Sequence, residues 1–140
     1  AGVPNLSLLA EIPSGATVLD LGSGAGLDSI IAAGRVGPQG QVLAVDFSSA
    51  MLSSMEQAVL ESGATNIKIF HSDAESLPLE DLSVDVALVN GIFNLNPERS
   101  KIFTELARVV KPGGCVFAAE LVLREAGSEK VEPTPENWFA

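Results

Sequence analysis

The chain has 140 residues, a length typical of one domain, and 46% of them are hydrophobic, so it can bury a substantial core. Its formal net charge is -10, with 18 acidic against 8 basic residues, and a chain this acidic is repelled by a phosphate backbone, which argues against nucleic acid as a partner. A single cysteine excludes an internal disulfide and a cysteine metal cluster.

Neither end of the sequence indicates export or membrane insertion. There is no N-terminal pattern of basic and then apolar residues, and no apolar run approaches ~20 residues. We therefore expect a cytoplasmic protein with no membrane partner.

Short apolar runs alternate with helical patterns along the chain. The predicted strands are Thr17–Leu21, Gln41–Val45, Asn66–Phe70, Val84–Val89 and Cys115–Leu121. The predicted helices are Leu27–Ala33, Ser49–Glu61 and a third that Asn96 caps and Lys111-Pro112-Gly113-Gly114 stops. The polar, proline-containing segment Arg124–Ala140 is interpreted as a linker or lid with a short helix near Pro135–Phe139.

Two further signals mark the ends of the second helix. Ser48 or Ser49 can cap its N-terminus, and Gly63 stands just past its C-terminus. The whole alternation predicts an α/β fold, a doubly wound parallel sheet with strand order 3-2-1-4-5. Ligands of such sheets bind at the carboxyl ends of the strands, where the glycine turn after the first strand lies.

That turn is Asp20-Leu21-Gly22-Ser23-Gly24-Ala25-Gly26. No lysine follows the glycines, which excludes a P-loop. A dinucleotide fingerprint fits at its first two glycines, but its third position is Leu27, too large for a close helix–strand contact. Asp20 would also repel a pyrophosphate. A dinucleotide is therefore the second choice.

An acid followed by Gly-x-Gly-x-Gly suits a ligand with an ammonium group and no phosphate, such as S-adenosylmethionine. Asp46, which stands 20 residues after Gly26, ends the second strand and can accept both ribose hydroxyls or, alternatively, cap a helix. Asp73 could meet the adenine amino group and Ala74 could offer its amide, although a plain turn explains both residues equally well.

Four segments, in this order, resemble the motifs of class I S-adenosylmethionine-dependent methyltransferases. They are Val18 to Gly26, Val45-Asp46, Asp73-Ala74-Glu75-Ser76-Leu77-Pro78 and Lys111-Pro112-Gly113-Gly114. The resemblance runs from about Gly15 to Leu121 and implies a Rossmann-like core, S-adenosylmethionine as cofactor, and methyl transfer to a small-molecule acceptor. The candidate cofactor-binding residues are Asp20, Gly22, Ser23, Gly24, Gly26, Asp46, Phe47, Met51, Asp73, Ala74, Glu75 and Asn90.

Within that family the chain resembles the arsenite methyltransferase-like (methyltransferase type 11) branch. The segment Asn90-Gly91-Ile92-Phe93-Asn94-Leu95 looks like its Asn-Cys-x-x-Asn-Leu segment. Gly2-Val3-Pro4-Asn5 looks like its lead-in, which lies against the cofactor, and Glu136-Asn137-Trp138 resembles a stretch before another of its cysteines. Because Gly91 stands at the position of the arsenic-binding cysteine, we expect no metal or arsenic site within these residues.

The family's sheet has seven strands, of which the last two form an antiparallel hairpin beside strand five. Five are counted here, so residues 1–140 are expected to form a single methyltransferase domain that lacks the hairpin and is incomplete at its C-terminus. Strand five would then expose an edge through which a homodimer could form.

The sequence marks the binding site of the methyl acceptor less clearly than that of the cofactor. The polar residues near strand ends are Asn90, Asn94, His71 and Glu120, and Asn90 is the candidate for orienting a substrate or, equally, a turn residue. Cys115 is interpreted as a buried core residue. Two other functions remain open, an NAD(P)-dependent oxidoreductase and a non-catalytic cofactor-binding module.

Overall fold

The computed structural model describes residues 5–92 and 96–120, and these residues form one five-stranded parallel sheet. The strands are β1 (Thr17–Leu21), β2 (Gln41–Asp46), β3 (Ile67–His71), β4 (Val84–Asn90) and β5 (Val110–Ala119). Their order is β3-β2-β1-β4-β5, and every neighbouring pair is parallel. The predicted fold and strand order are confirmed.

In the described ranges, four helices cover the two faces of the sheet. They are α1 (Leu6–Leu9), α2 (Leu27–Val36), α3 (Ser49–Ser62) and α4 (Arg99–Val109). Alternate residues of a strand point to opposite faces: Val18 of β1 packs in the cluster that contains α2, whereas Leu19 packs in the cluster that contains α4. Both side chains are fully buried, which explains why apolar residues stand on both faces of β1. In the described part of the chain, no helix is long and apolar enough to cross a membrane.

The ends of α3 follow the sequence signals. Ser48 is the N-cap, and its side chain accepts a hydrogen bond from Met51 N at 3.3 Å. Gly63 is the C-cap with φ 75°, a left-handed conformation that glycine adopts without strain. By contrast, the predicted end of α2 near Gly34 is wrong, because that exposed glycine is tolerated within the helix and Gly37 ends it instead.

The start of α4 also differs from the prediction. Its N-cap is Glu98, not Asn96. The Asn96 side chain instead accepts a hydrogen bond from Glu98 N at 2.7 Å and donates one to Glu75 Oε1 at 2.8 Å. Asn96 therefore joins the start of α4 to the loop after β3.

The strand β5 begins five residues earlier than predicted. Val110 pairs with Val84 and Cys115 pairs with Val86, so the residues between them form an irregular bulge within the ladder. Cys115 is exposed, which makes its prediction as a core residue wrong. The residues from Leu121 onward, which include the predicted linker or lid with its short helix near Pro135–Phe139, lie outside the described residues, as does Asn94.

The short helix α1 was missed in the sequence, because four residues carry no readable periodicity. The Arg35 guanidinium holds it against α2, since Nη1 donates to the carbonyl of Ser7 at 2.6 Å and to that of Ala10 at 2.7 Å. Leu6 and Ile12 are buried beneath it. This anchoring places Asn5 at the carboxyl edge of the sheet, where the site lies.

Candidate functional site

A cleft of about 280 Å³ opens between the turn after β1 and the end of β4. It lies at the carboxyl edge of the sheet, where the chain order reverses between β1 and β4, the expected position of a ligand in a doubly wound sheet. The residues that line it are Asn5, Gly22, Ser23, Ala25, Leu27, Asp28, Asn90 and Gly91.

The turn after β1 lies close to the end of β4 and to β2. A Cβ atom on Gly22 would lie 2.8 Å from Asn90 O, and Gly22 has φ 76°, so this position requires glycine. The amides of Gly22 and Ser23 both donate to Val45 O, at 2.9 and 3.2 Å. Ser23 is itself buried. The turn is thus held rigidly at the edge of the sheet.

The end of the turn corrects one argument from the sequence. Leu27 makes no close helix–strand contact, because its side chain is 56% exposed. The close approach occurs at Gly26, where a Cβ atom would lie 2.8 Å from Met55 Cγ of α3. The size of Leu27 is therefore no evidence against a dinucleotide. The choice between a dinucleotide and S-adenosylmethionine then depends on the charge of the nearby acids.

Asp20 is completely buried beneath the turn. Its Oδ2 accepts a hydrogen bond from the Ser29 hydroxyl at 2.6 Å, whereas Oδ1 has no partner among the described residues. Burial raises the pKa of Asp20 to about 7, with smaller contributions from the charges of Asp28 and Asp46, although the Ser29 hydrogen bond opposes the change. A buried acceptor without a partner is unfavourable, and a cationic donor would satisfy it.

Asp46 connects the first turn to the next helix. Its Oδ2 accepts from Gly24 N at 2.9 Å and its Oδ1 accepts from Ser48 N at 2.9 Å. The side chain is 7% exposed. Because each carboxylate oxygen can accept more than one hydrogen bond, Asp46 keeps acceptor capacity for a ligand.

Two large apolar side chains stand in solvent beside Asp46. Phe47 is 72% exposed and Met51 is 43% exposed. A Cβ atom on Gly24 would lie 3.7 Å from Met51 Cε, so this pair borders the glycine turn. His71 lies next to them, with Nε2 2.7 Å from Phe47 O.

The three candidates after β3 lie along the same edge but do not line the cleft. Asp73 is exposed, and Ala74 packs in the cluster on the α4 face. Glu75 is bound by Asn96, and this hydrogen bond holds the pKa of the Glu75 carboxyl below its usual range. Their role in cofactor binding stays a prediction.

Asn90 ends β4 and is tied to a residue that sequence reasoning missed. Its Nδ2 donates to Asp28 Oδ2 at 2.8 Å. Asp28 Oδ1 accepts from Ser7 N at 3.1 Å and also from the Ser7 hydroxyl. Asp28 stands in the first turn of α2, so an acid directly after the glycine turn was the signal that could have revealed it. Within the described ranges, no cluster of three or more His, Cys, Asp or Glu residues could hold a metal ion.

Comparison with known proteins identifies the family. A family model described as Methyltransferase domain matches residues 12–139. The chain is 37% identical over 136 residues to an arsenite methyltransferase of Halobacterium salinarum, and the match covers 97% of this chain and 35% of that protein. It is 37% identical over 113 residues to a demethylmenaquinone methyltransferase of Bacillus pumilus, covering 80% of this chain and 48% of that protein. The chain thus spans less than half the length of these two relatives.

Solved structures agree with the sequence relatives. A SAM dependent methyltransferase from Aquifex aeolicus matches with a TM-score of 0.80 at 28% identity, covering 96% of this chain and 71% of that one. An arsenic (III) S-adenosylmethionine methyltransferase from Chlamydomonas reinhardtii matches with a TM-score of 0.77 at 32% identity, and the match covers 86% of this chain and 42% of that one. The glycine turn, the acids at the strand ends and these matches together establish that the chain belongs to the S-adenosylmethionine-dependent methyltransferase family.

Proposed function

We propose that the chain binds S-adenosylmethionine along the carboxyl edge of β1, β2 and β4 and supports transfer of its methyl group to a small-molecule acceptor. The observation that carries this proposal is the Asp20 carboxyl, which is fully buried under the glycine turn with Oδ1 unpartnered among the described residues. An ammonium group bound at the turn would compensate the negative charge that burial makes unfavourable on Asp20.

The same acids argue against a dinucleotide. Asp20, Asp28 and Asp46 all stand around the turn, and among the described residues no lysine, arginine or histidine lines the cleft. A pyrophosphate in this position would meet acidic side chains and no base in the described part of the chain. The NAD(P) alternative is therefore disfavoured by charge.

The remainder of the edge suits a nucleoside. The spare acceptor capacity of Asp46 can take ribose hydroxyls, as the sequence predicts. The exposed side chains of Phe47 and Met51 offer an apolar surface for an adenine ring next to that carboxylate. The conformation of Gly22 keeps a side chain out of the space between the turn and the end of β4.

The bound cofactor supplies a methyl group on a cationic sulfur, which an acceptor takes by in-line displacement. The task of the protein is then to fix geometry and keep water away. The hydrogen bonds from Asn90 and Ser7 to Asp28 hold the end of β4, the start of α2 and α1 in one arrangement around the cleft. His71 lies on the β2–β3 side, against Phe47 O, and does not line the cleft.

Among acceptors, we favour an organic molecule over arsenite. Gly91 stands where the resembling branch has its cysteine, and its φ of 64° disfavours any side chain. Cys115 pairs with Val86, four residues before Asn90 on β4, so it lies about 13 Å back from the carboxyl edge. Assembly through the edge of β5, and the extent of a single domain over residues 1–140, stay predictions.

Calorimetry with S-adenosylmethionine and with NAD tests the cofactor. We expect saturable heat from the first and none from the second. Formation of S-adenosylhomocysteine, followed by mass spectrometry against a panel of quinols, catechols and thiols, then tests transfer. Binding of NAD without binding of S-adenosylmethionine would overturn the proposal, and cofactor binding without turnover of any acceptor would favour the non-catalytic module.

A further inference from the structure

Asp28 is the one ionisable side chain among the residues that line the cleft in the described part of the chain. The other lining residues are neutral. The cleft is about 280 Å³, so a ligand that fills it lies within a few ångströms of this carboxylate. A single charge in a partly enclosed site acts more strongly than it would in open water.

The charge of Asp28 is not cancelled by an ion pair. Its three hydrogen bonds come from neutral donors: the Ser7 amide, the Ser7 hydroxyl and the Asn90 side-chain amide. None of the four ion pairs found among the described residues includes it. The nearby Arg35 directs Nη1 to the carbonyls of Ser7 and Ala10 instead.

The fold also fixes the place of the Asp28 carboxylate. It stands in the first turn of α2, where the free amides and dipole of the helix stabilise a negative charge. The hydrogen bonds keep the carboxylate fixed at the wall of the cleft, so the field does not depend on a mobile side chain. The cleft is thus built to prefer a cation over a neutral ligand of the same shape.

S-adenosylmethionine and its product differ in this respect. Transfer breaks the bond between sulfur and the methyl carbon, the electron pair of that bond stays on sulfur, and a lone pair of the acceptor forms the new bond to carbon. The sulfonium thereby becomes a neutral thioether, while the adenosine, ammonium and carboxylate groups are unchanged. The product carries one positive charge less than the cofactor.

We propose that Asp28 is the residue that makes the cleft discriminate S-adenosylmethionine from S-adenosylhomocysteine, by attracting the sulfonium charge that the product lacks. The inference rests on the proposed function. It assigns to Asp28 a part in product release, because the attraction disappears when the methyl group leaves. Asp20 and Asp46 remain in place in every variant below.

The test is calorimetric measurement of both dissociation constants for the wild type, Asp28→Asn, Asp28→Glu and Ser7→Ala. In Asp28→Asn, affinity for S-adenosylmethionine should fall on the order of tenfold while affinity for S-adenosylhomocysteine changes by less than about twofold. Asp28→Glu keeps the charge and should keep the discrimination. Ser7→Ala removes a hydroxyl bound to Asp28 but keeps the charge, so it should match the wild type in the ratio of the two constants.

Equal weakening of both ligands in Asp28→Asn would show a merely structural role and overturn the inference, leaving the proposed function intact. If neither ligand binds the wild type, the proposed function fails and the inference fails with it. Should Asp28→Asn not fold, the wild type still tests whether charge causes the discrimination, which should shrink as salt rises from about 0.05 to about 0.5 M because salt screens charge. A ratio that does not change with salt would refute the role of charge.

Discussion

The Ser29 hydroxyl lies 2.6 Å from Asp20 Oδ2 and donates the one hydrogen bond that the described residues give to this carboxyl. The two residues are nine positions apart, on the strand and the helix that flank the glycine turn. Both are fully buried. One neutral hydrogen bond does not offset the free-energy cost of burying a charge. The ionised form of Asp20 is therefore unfavourable in the folded protein.

The first prediction is that the free energy of unfolding decreases as pH rises from the unfolded-state pKa of Asp20 to its folded-state pKa. Burial raises the pKa of Asp20 from 3.8 to about 7, so the folded state holds a proton that the unfolded state has released between those values. The stabilising contribution is complete below pH 3.8 and is lost as pH rises through about 7. At pH 8, Asp20→Asn should therefore unfold at a higher urea concentration than the wild type. Its free energy of unfolding should be larger by up to about 4 kcal/mol.

Urea titrations at pH 5, 6, 7 and 8 check this, with Glu56→Gln as the control. Glu56 is an exposed acid on α3, so its variant removes the same formal charge without a change in burial. The difference between Asp20→Asn and the wild type should grow with pH, and that of the control should not. Parallel pH profiles for all three proteins would contradict the prediction.

The second prediction is that the same variant binds S-adenosylmethionine more weakly. An amide at position 20 offers no charge to an ammonium group, so affinity should fall by about 1–3 kcal/mol in free energy of binding. Glu56→Gln again serves as the control, because it removes the same formal charge at an exposed position on α3. Higher stability at pH 8 together with weaker cofactor binding would show that the Asp20 charge destabilises the fold but contributes to binding. Unchanged affinity would place the ammonium group elsewhere.

The third prediction concerns Asp46. Asp46→Ala should weaken binding of S-adenosylmethionine by about 1–3 kcal/mol, because the ribose hydroxyls lose a charged acceptor. The variant also leaves Gly24 N and Ser48 N without their acceptor, so a lower melting temperature should accompany the loss. Calorimetry at a temperature where the variant is folded measures the first effect. A dissociation constant equal to that of the wild type would remove Asp46 from the site.

The fourth prediction compares two glycines. Gly22→Ala should destabilise the protein by about 1–3 kcal/mol, because a Cβ atom there meets Asn90 O at 2.8 Å and the left-handed φ strains any other residue. Gly34→Ala is the control, since Gly34 lies in α2 with nothing within 4 Å of an added Cβ. It should stabilise by about 0.5–1 kcal/mol through helix propensity. Thermal unfolding measures both, and equal effects of the two variants would contradict the packing seen at Gly22.

Much of the fold could be read from local patterns, because the central strands β1, β2 and β4 are buried on both faces and the ends of α3 carry Ser48 and Gly63. The site was only partly readable. Asp20 and Asp46 follow from spacing along the chain, whereas Asp28 acts through contacts with α1 and β4, 21 and 62 residues away in sequence. Such long-range hydrogen bonds leave no periodic signal. The irregular start of β5 was missed for a similar reason, since Val110 pairs with Val84 although a turn sequence follows it.

The final prediction is that residues 1–140 do not methylate arsenite. Trivalent arsenic is bound by several soft thiolates, and the sequence contains Cys115 alone. That thiol is exposed on β5, about 13 Å from the carboxyl edge, so it does not reach the cleft beside Gly22. Gly91→Cys provides the instructive variant. It adds one thiol at the edge, where nothing lies within 4 Å of an added Cβ, but the left-handed backbone strains it and the second thiol stays distant.

Mass spectrometry of methylated arsenic, with S-adenosylmethionine and a thiol reductant, should give the no-enzyme blank for both proteins. Product from the unaltered chain would overturn the argument from Gly91, and product from Gly91→Cys alone would show that one thiolate at this edge is sufficient.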